Sequence, residues 1–350
     1  MKILITGHLG FIFGHLTEYL LNNYDYEIIG YDAFTYAANR ELDFELSNKY
    51  FDRLTCYCGD RYRIEDLKTL GEIVEKHKPD LIINGAAETH NDNAIANSFP
   101  FITTNINGVH SILEVCKAFK IPLIHMSTDE VLDHKIPINN DGVGREPAFE
   151  GLPFDYKREC YLENFYEYEN SKNLWFARLK EDAKLNPRNP YSASKAAGEL
   201  LINSYIETHG VDAKIIRCTN VYGPRQNKEK FLAKAITEIL TGGTFPVYGK
   251  GEQWRDWLYV KDFCTAFDLI MHKGTKRIYH IAANDERQNK DTGNLVCKLM
   301  GCDGYYFVKD RSGHDFSYSL NCDKLKALGW KKQYTFEQGL KETIESYKGD

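Results

Sequence analysis

The 350-residue sequence lacks any apolar run long enough to span a bilayer, so we expect no membrane-spanning helix. It also lacks the pattern of a secretory signal, because Lys2 is followed by a short strand-like run rather than by a longer apolar segment. Neither an internal repeat nor a low-complexity tract is visible, which argues against a repeat array or a disordered chain. These absences predict a globular protein without a membrane partner.

A strong excess of charge of one sign is missing as well. The formal net charge is −6, in a chain with 27% charged and 43% hydrophobic residues. This composition is ordinary for a soluble globular protein, and its slightly acidic balance argues against a general nucleic-acid or membrane surface. It leaves small phosphorylated ligands open. The length is that of one large domain or two moderate ones.

Regularly spaced cysteine pairs are absent, because the nine cysteines, an odd number, lie at irregular intervals. The closest pair, Cys56 and Cys58, lies in a strand-like run, where alternation would point both side chains to one face. We expect buried free thiols, neither a disulfide framework nor a metal site, and a reducing, cytoplasmic location.

What is present is an alternation of strand-like and helix-like segments. Strand patterns cover 2–6, 27–32, 54–60, 81–85, 121–130, 213–218 and 279–283, and helix patterns cover 11–21, 64–77 and 101–119. Short, continuously apolar strands separated by helices indicate a parallel sheet that is covered on both faces. The sequence therefore predicts an α/β fold with a doubly wound parallel sheet.

Composition suggests a second, smaller lobe. We expect residues 1–218 to form the sheet domain, to which strands within about 256–284 return, whereas 219–255 and 285–330 form an interrupted lobe beyond the carboxyl ends of the strands. Residues of about 145–182 carry many aromatics and charges but almost no glycine or proline. This insertion is predicted to be ordered and partly helical.

The stretch GHLGFIFG at residues 7–14 looks like a glycine turn between a strand and a helix. Gly7 and Gly10 provide a tight turn and a close approach to a pyrophosphate at a helix N-terminus, whereas Phe13 stands where a third glycine is expected. The next strand ends in Asp32, which is placed to bind ribose hydroxyls and would repel a 2′-phosphate, so NAD is favoured over NADP. We expect NAD binding to be retained, with the helix displaced slightly or Gly14 making the close contact. Asp60, at the end of the third strand, is either an adenine contact or a simple turn residue.

Tyr191 and Lys195 lie four residues apart at the start of a helical stretch. This spacing puts both side chains on one face, about 5–6 Å apart at Cβ. An ammonium beside a phenol favours the phenolate, so we expect Lys195 to lower the pKa of Tyr191 and make it a usable base. The alternative is an exposed helix pair without function.

The run STDEV, residues 127–131, lies at the carboxyl end of a buried strand, where open α/β sheets carry their chemistry. Its adjacent carboxylates, Asp129 and Glu130, can divide acid and base roles if their environments differ. Alternatively, one of them only caps the turn that follows.

These residues resemble a known family. The stretches ITGHLGFI, AAETHNDNAI, HMSTDEV, NPRNPYSASKAAGE, RCTNVYGPRQ, VYGKGEQWRDWLYVKD and DRSGHDFSYSLN occur in the order seen in the extended short-chain dehydrogenases/reductases. Over nearly its whole length the chain is similar to the nucleoside-diphosphate-glucose 4,6-dehydratases of the dTDP-glucose type. The most specific piece is STDEV, because relatives that only epimerise or decarboxylate sugar nucleotides usually lack an acid at the position of Asp129.

The resemblance implies a Rossmann-like fold, NAD as cofactor and a redox-neutral dehydration of a nucleoside-diphosphate hexose. Tyr191, assisted by Lys195, would take the O4 proton while C4 is oxidised. Glu130 would remove the C5 proton, Asp129 would protonate the departing C6 hydroxyl, and Thr128 would orient the sugar. Return of the hydride to C6 would give a 4-keto-6-deoxy sugar nucleotide.

The resemblance also implies a set of binding residues. The cofactor would contact Gly7, Gly10, Phe11, Ile12, Asp32, Thr35, Asp60, Arg61, Ala86, Ala87, Tyr191 and Lys195. The sugar nucleotide would contact Thr89, Thr128, Asn220, Lys230, Phe231, Tyr248, Arg255, Asn289, Arg311 and His314. Instead, Arg255 could form an ion pair with Asp256 or Asp262, and His314 could make a structural hydrogen bond. A homodimer built on helices 101–119 and 192–208 is implied as well.

Three features depart from the family pattern: Phe13, the pair Leu132-Asp133 after the acidic run, and the aromatic insertion. They leave several functions open. One is dehydration of UDP-glucose or UDP-N-acetylglucosamine instead of dTDP-glucose. Another is 4-epimerisation, which would leave Asp129 idle, and a third is non-catalytic sensing of NAD or a sugar nucleotide.

Overall fold

The computed structural model describes residues 1–134, 160–168, 172–310 and 314–349. The strands are β1 (Lys2–Thr6), β2 (Glu27–Asp32), β3 (Leu54–Cys58), β4 (Leu81–Asn84), β5 (Leu123–Thr128), β6 (Cys160–Tyr168), β7 (Lys172–Leu179), β8 (Ala213–Cys218), β9 (Asn220–Tyr222), β10 (Phe245–Tyr248), β11 (Trp254–Tyr259), β12 (Ile278–Ile281), β13 (Glu286–Gln288) and β14 (Tyr305–Val308).

The α-helices are α1 (Phe11–Asn23), α2 (Arg40–Lys49), α3 (Leu67–His77), α4 (Asn91–Ala96), α5 (Phe99–Ile102), α6 (Val109–Phe119), α7 (Pro190–His209), α8 (Phe231–Leu240), α9 (Val260–Lys273), α10 (Asn289–Met300), α11 (Asp323–Ala327) and α12 (Phe336–Lys348). Helix α3 begins at Leu67 rather than at 64, because the Asp66 carboxylate caps it by accepting a hydrogen bond from the Thr69 amide. A π-helical turn, Thr103–Gly108, joins α5 to α6, so the predicted helix 101–119 runs on through three segments. In the part of the chain that the structure covers, none of the helices has both the length and the apolar character needed to cross a membrane.

Seven parallel strands form the main sheet in the order β12-β8-β5-β4-β1-β2-β3. Strand order reverses between β1 and β4, which pair with each other, and the crevice outside this reversal is where open α/β sheets bind ligands. The prediction of a doubly wound, Rossmann-like α/β fold is confirmed.

Both faces of the sheet are buried. Along β1, Ile3 and Ile5 belong to one apolar cluster and Leu4 to another, and all three are fully buried. Alternate residues of a strand point to opposite faces, so the two clusters are the helix layers on either side. This double burial explains why the strands read as continuous apolar runs.

Two minor sheets are separate from the main sheet. Strand β11 lies between β9, its parallel partner, and β13, its antiparallel partner, while β10 pairs with β14. The prediction that strands of 256–284 return to the main sheet is therefore wrong for β11 and holds for β12 alone. Strand β11 pairs with β9 residue by residue, with Leu258 opposite Val221, and therefore does not join the main sheet.

The partly helical prediction for the aromatic insertion is wrong for residues 160–168 and 172–179. These form the antiparallel pair β6 and β7, in keeping with the preference of aromatic residues for strands. Near the end of β7 the Arg178 guanidinium forms a buried ion pair with Glu286 of β13, with Nε 2.9 Å from Oε1. Residues 145–159 and 169–171 lie outside the described residues.

Candidate active site

The glycine turn connects β1 to α1. Gly7 has a φ of 68°, which favours glycine, and a Cβ added there would lie 2.8 Å from the Ala86 Cα. Gly10 is the N-cap of α1, and its amide donates to the Gly7 carbonyl at 3.0 Å. The turn therefore lies against the loop after β4, with the N-terminus of α1 at the crevice. Its backbone amides and lack of side chains suit a pyrophosphate.

Asp32 is held beside this turn by two backbone amides. Its Oδ2 accepts a hydrogen bond from the Leu9 amide at 3.1 Å, and its Oδ1 accepts one from the Phe34 amide at 2.9 Å. The carboxylate lines a small cavity together with Thr35, Ala86 and Ala87, all predicted as cofactor contacts. This cavity has the donors and acceptors expected around an adenosine ribose.

Two predicted cofactor contacts are not brought to this place. Asp60 and Arg61 are exposed and lie outside the lining of the cavities described here. Asp60 pairs with Arg63, whose Nε is 2.9 Å from its Oδ1, and the Arg61 guanidinium lies over the Tyr62 ring. Asp60 thus follows the end of β3 at Cys58 and forms a local ion pair.

A larger cavity of about 500 Å³ adjoins the turn. Among its lining residues are all five predicted catalytic residues, Thr128, Asp129, Glu130, Tyr191 and Lys195. Of the predicted sugar-nucleotide contacts, Thr89, Thr128, Asn220, Lys230, Phe231, Tyr248, Arg255, Asn289 and His314 line it too, as do Gly7, Gly10, Phe11, Ile12 and Ala87 from the cofactor set. Arg311 lies outside the described residues.

The start of helix α7 fixes Tyr191 and Lys195. The Asn189 side chain accepts a hydrogen bond from the Ser192 amide at 2.8 Å, and the Ser192 hydroxyl accepts one from the Asn189 amide, which makes a capping box. Both predicted residues are buried, Tyr191 in the first turn and Lys195 in the next. The Lys195 Nζ donates a hydrogen bond to the Met126 carbonyl on β5 at 2.7 Å.

The pKa shift of Tyr191 differs from the one that the sequence predicts. Burial raises the pKa of Tyr191 well above its ordinary value, and the Glu130 carboxylate raises it further, while a hydrogen bond with Thr128 lowers it. Burial also lowers the pKa of Lys195 to about 8, against the opposing charge of Glu199. The expected net lowering of the Tyr191 pKa by Lys195 therefore does not occur in the chain alone, where desolvation of the phenol outweighs it.

The two acids at the end of β5 lie in different surroundings. Burial, followed by the charge of Glu130, raises the pKa of Asp129 well above its ordinary value, which favours its protonated form. Its Oδ1 accepts a hydrogen bond from the Thr128 hydroxyl at 3.1 Å, whereas its Oδ2 has no partner among the described residues. Glu130 is half-buried, and its Oε2 accepts from the Asn91 and Asn189 side-chain amides at 3.1 and 3.0 Å. An acid whose protonated form is favoured and a glutamate held by two amides thus line one cavity.

Arg255 lines the larger cavity as well. Its guanidinium lies 4.2 Å from the centroid of the Tyr318 ring, and its Nη2 is 2.7 Å from the His314 Nε2. The acids considered as its alternative partners are engaged elsewhere, because Asp256 accepts from the amides of 284 and 285 and Asp262 from those of 333 and 334. Arg255 is therefore a positioned, buried cation, and His314 makes the structural hydrogen bond considered above.

The remaining predicted substrate residues line the same cavity. The Asn220 Oδ1 is buried without a partner among the described residues, which suits a ligand hydroxyl or amide. The Lys230 Nζ donates to the Thr89 carbonyl at 3.2 Å, and the Tyr248 hydroxyl donates to Asp92 at 3.3 Å. Together these three residues give the cavity polar groups that suit a sugar and its phosphates.

Sequence reasoning missed the residues that hold the acids and the lysine. Asn91 and Asn189 bind Glu130, and Met126 supplies the carbonyl for Lys195. Asn189 carried a usable signal, because an asparagine before a proline and a helical pattern is a typical N-cap. Asn91 and Met126 carried none, since their roles depend on how β4, β5 and α7 meet.

Comparison with known proteins gives the same picture. The sequence model of the NAD dependent epimerase/dehydratase family matches residues 3–163 and 167–282. The chain is 34% identical to the dTDP-glucose 4,6-dehydratase of Haemophilus influenzae, with 99% of this chain and 98% of that protein covered. It is also 34% identical to the low-salt glycan biosynthesis protein Agl12 of Haloferax volcanii, with 100% and 99% covered. The crystal structure of dTDP-glucose 4,6-dehydratase from Bacillus anthracis in complex with NAD is 31% identical, covers 100% of this chain and 97% of its own, and superposes with a TM-score of 0.80.

Proposed function

This chain belongs to the NAD dependent epimerase/dehydratase family, and we propose that it is a nucleoside-diphosphate-hexose 4,6-dehydratase that converts dTDP-glucose to dTDP-4-keto-6-deoxyglucose. One observation carries the proposal: Asp129, whose pKa is raised by burial, and amide-bound Glu130 line the same cavity as Tyr191 and Lys195. An elimination of water needs an acid and a base at neighbouring carbons, and a 4-epimerase needs neither.

The cofactor is NAD, which the residues around the turn fit. Gly7 and Gly10 leave room for the pyrophosphate, and Asp32 with Thr35 would bind the adenosine ribose. Bound NAD supplies the hydride acceptor for C4 and, once reduced, the hydride donor for C6. Phe11, Ile12, Ala86 and Ala87 form the apolar sides of the crevice.

Tyr191 is the proposed base for the sugar O4 proton. In the chain alone burial keeps the phenol protonated, and its hydrogen bond with Thr128 is the contact that lowers its pKa. To act as the base, Tyr191 must first lose its own proton to solvent, and Lys195, one helical turn away with a pKa of about 8, would favour the resulting phenolate. Thr128 would then orient O4 toward the phenol.

Glu130 and Asp129 divide the elimination in the proposed mechanism. Oxidation at C4 acidifies the C5 hydrogen, which the Glu130 carboxylate removes while the Asn91 and Asn189 amides hold it in place. Burial raises the pKa of Asp129 and favours its protonated form, which can donate to the departing C6 oxygen. The result is one water lost, with no net change in the cofactor.

The nucleoside diphosphate would lie beside Arg255, within a lobe formed by 219–255 and 285–330. A planar guanidinium can bind two phosphate oxygens at once, and burial strengthens that contact. Asn220 and Lys230 line the same cavity, and Phe231 offers an apolar wall where its ring stacks with Trp257. Contacts from Thr89, Tyr248 and Asn289 complete this proposed set.

A homodimer and a cytoplasmic location complete the proposal. Helices α5 and α7 carry apolar side chains at the surface, with Phe99 70%, Leu200 58% and Ile102 44% exposed. A second copy that covers these helices would bury them. The eight cysteines that the structure describes are free thiols, in keeping with a reducing compartment.

The test is to incubate the purified protein separately with dTDP-glucose, UDP-glucose and UDP-N-acetylglucosamine and to analyse the products by mass spectrometry. Loss of one water from dTDP-glucose is the expected result. Water loss from a UDP-sugar alone would move the substrate to that nucleotide. A 4-epimer of unchanged mass would make the protein an epimerase, and loss of water from none of the three would end the dehydratase proposal.

A further inference from the structure

Four potential metal ligands converge behind the glycine turn: His8, Asp43, Cys56 and Cys58. One ligand atom from each, the His8 ring nitrogen, a carboxylate oxygen and the two sulfurs, all lie within 4.8 Å of one another. We call these four side chains the thiol cluster. It lies outside the two cavities described above, and the proposed dehydration uses none of its members.

The fold brings these residues together from three segments. Cys56 and Cys58 project from the same face of β3, as the sequence predicted. Cys56 is in register with Gly30 on β2, and a Cβ at Gly30 would lie 2.3 Å from the His8 Nε2. The absence of a side chain at position 30 is therefore what lets the imidazole reach the sulfurs.

Asp43 comes from the first turn of α2. The Asn39 side chain caps this helix by accepting a hydrogen bond from the Leu42 amide at 3.0 Å. Helix α2 thus begins above β3, with Asp43 facing the thiols. The Ser47 hydroxyl, one turn later, lies 3.5 Å from the Asp43 Oδ1 and 3.6 Å from the Cys56 Sγ, which is the place of an outer hydrogen-bonding partner.

The distances approach those of a tetrahedral zinc site. The His8 Nε2 is 3.4 Å from the Cys56 Sγ and 4.0 Å from the Cys58 Sγ, and the Cys58 Sγ is 3.9 Å from the Asp43 Oδ1. Zinc bonds of about 2.0–2.3 Å place tetrahedral ligand atoms roughly 3.3–3.8 Å apart. A contraction of about 1 Å or less would close the cluster around an ion.

We propose that His8, Asp43, Cys56 and Cys58 bind one Zn²⁺ ion. Two thiolates and an imidazole select a thiophilic cation over Mg²⁺ or Ca²⁺, and four protein ligands leave no open position for catalysis. The ion would be structural and would tie the glycine turn to β3 and α2. The sequence prediction of no metal site depended on the lone C-x-C spacing, which gave no hint of His8 or Asp43 as partners.

The experiment uses the full-length protein, reduced, treated with a chelator and then titrated with Co²⁺ or Zn²⁺ alone. We expect about one Co²⁺ per chain, with the visible absorption of a tetrahedral site and a sulfur-to-cobalt charge-transfer band, both lost when Zn²⁺ displaces it. Absence of these bands in the wild-type protein would overturn the proposal without any variant.

Variants locate the ion. Cys56→Ser with Cys58→Ser should weaken Zn²⁺ binding by more than about 100-fold, the upper range for losing a mere outer partner. Asp43→Asn should weaken binding while keeping the charge-transfer band, which covers the case in which the double variant fails to fold. The control is Cys302→Ser, which removes a half-buried thiol elsewhere and should leave binding unchanged. Equal binding by the wild type and the double variant would place the ion elsewhere and refute the site.

Discussion

The ring of Phe13 occupies the space that a side chain at position 85 would fill: a Cβ built on Gly85 would lie 2.2 Å from the Phe13 Cδ2. The ring is 4% exposed and makes edge-to-face contacts with Phe263 and Phe267, at centroid distances of 6.4 and 6.0 Å. The residue that breaks the glycine fingerprint is thus accommodated by a glycine on the neighbouring strand end. The close approach at Gly14 is instead to helix α2, because a Cβ there would meet the Leu42 side chain.

Phe13 and Gly85 should therefore behave as a pair. Phe13→Gly is expected to lower the free energy of unfolding by about 3–5 kcal/mol, because it leaves a cavity under α1. Gly85→Leu alone should also destabilise the chain, because its side chain meets the ring. Combined, the two changes should cost less than their sum, as measured by chemical denaturation in a double-mutant cycle. Additive losses would mean that the two positions do not share this space.

Asp129→Asn combined with Glu130→Gln tests the division of roles. Both substitutions keep the size of the side chains but remove the acid and the base of the elimination. The double variant should form no dehydrated product while still oxidising bound sugar at C4, which appears as an absorbance rise from reduced cofactor. A variant that binds both ligands yet never reduces the cofactor would show that these acids also serve the oxidation.

Stability should depend on pH through Asp129. Its folded-state pKa is raised, so the folded chain holds the proton more tightly than the unfolded chain does. This contribution is fully present below the ordinary carboxyl pKa of about 3.9 and is lost as pH rises through the raised value. Relative to Asp129→Asn, the wild type should therefore lose unfolding free energy as pH rises from acid toward neutral. If the unfolding free energies of the two proteins changed in parallel with pH, a raised Asp129 pKa would be contradicted.

Glu199 lies one turn after Lys195 on helix α7 and stabilises the surroundings of the candidate active site. It is fully buried, accepts a hydrogen bond from Ser127 at 2.5 Å and pairs with the Arg217 guanidinium at 2.7 Å. Glu199→Gln should cost about 3–5 kcal/mol, because it leaves a buried guanidinium without its carboxylate. It should also lower the pKa of Lys195 further, since the Glu199 charge raises it.

The matched control lies on the same helix. Glu207 forms an exposed ion pair with Arg277, and Glu207→Gln should cost no more than about 1 kcal/mol. Thermal unfolding measured side by side separates the two cases. Equal losses of stability in Glu199→Gln and Glu207→Gln would mean that the Glu199–Arg217 pair is screened by solvent like a surface ion pair.

Local patterns in the sequence were enough to predict the sheet and to group four candidate catalytic residues in one place. Helical spacing placed Tyr191 and Lys195 together, and the position of Asp129 and Glu130 after a buried strand predicted where they would lie. Each of these inferences depends on a few consecutive residues and on the rule that parallel strands end at one edge.

Contacts between distant segments could not be predicted in the same way. The match of Phe13 to Gly85, the amides that hold Glu130 and the meeting of His8 with the thiols of β3 all depend on tertiary packing. The predicted lowering of the Tyr191 pKa considered one neighbour and left out desolvation, which only the folded chain reveals. The insertion was misjudged because its mixture of aromatics and charges fits a strand pair as well as a helix.

The most direct test of the dehydratase account follows one hydrogen atom. The protein is incubated with dTDP-glucose that carries deuterium at C4, and the product is examined by mass spectrometry and NMR. If Tyr191, Glu130 and Asp129 act in sequence around one bound cofactor, the product is lighter by one water and carries the deuterium at C6. Deuterium retained at C4 in a product of unchanged mass, or no conversion at all, would contradict the account.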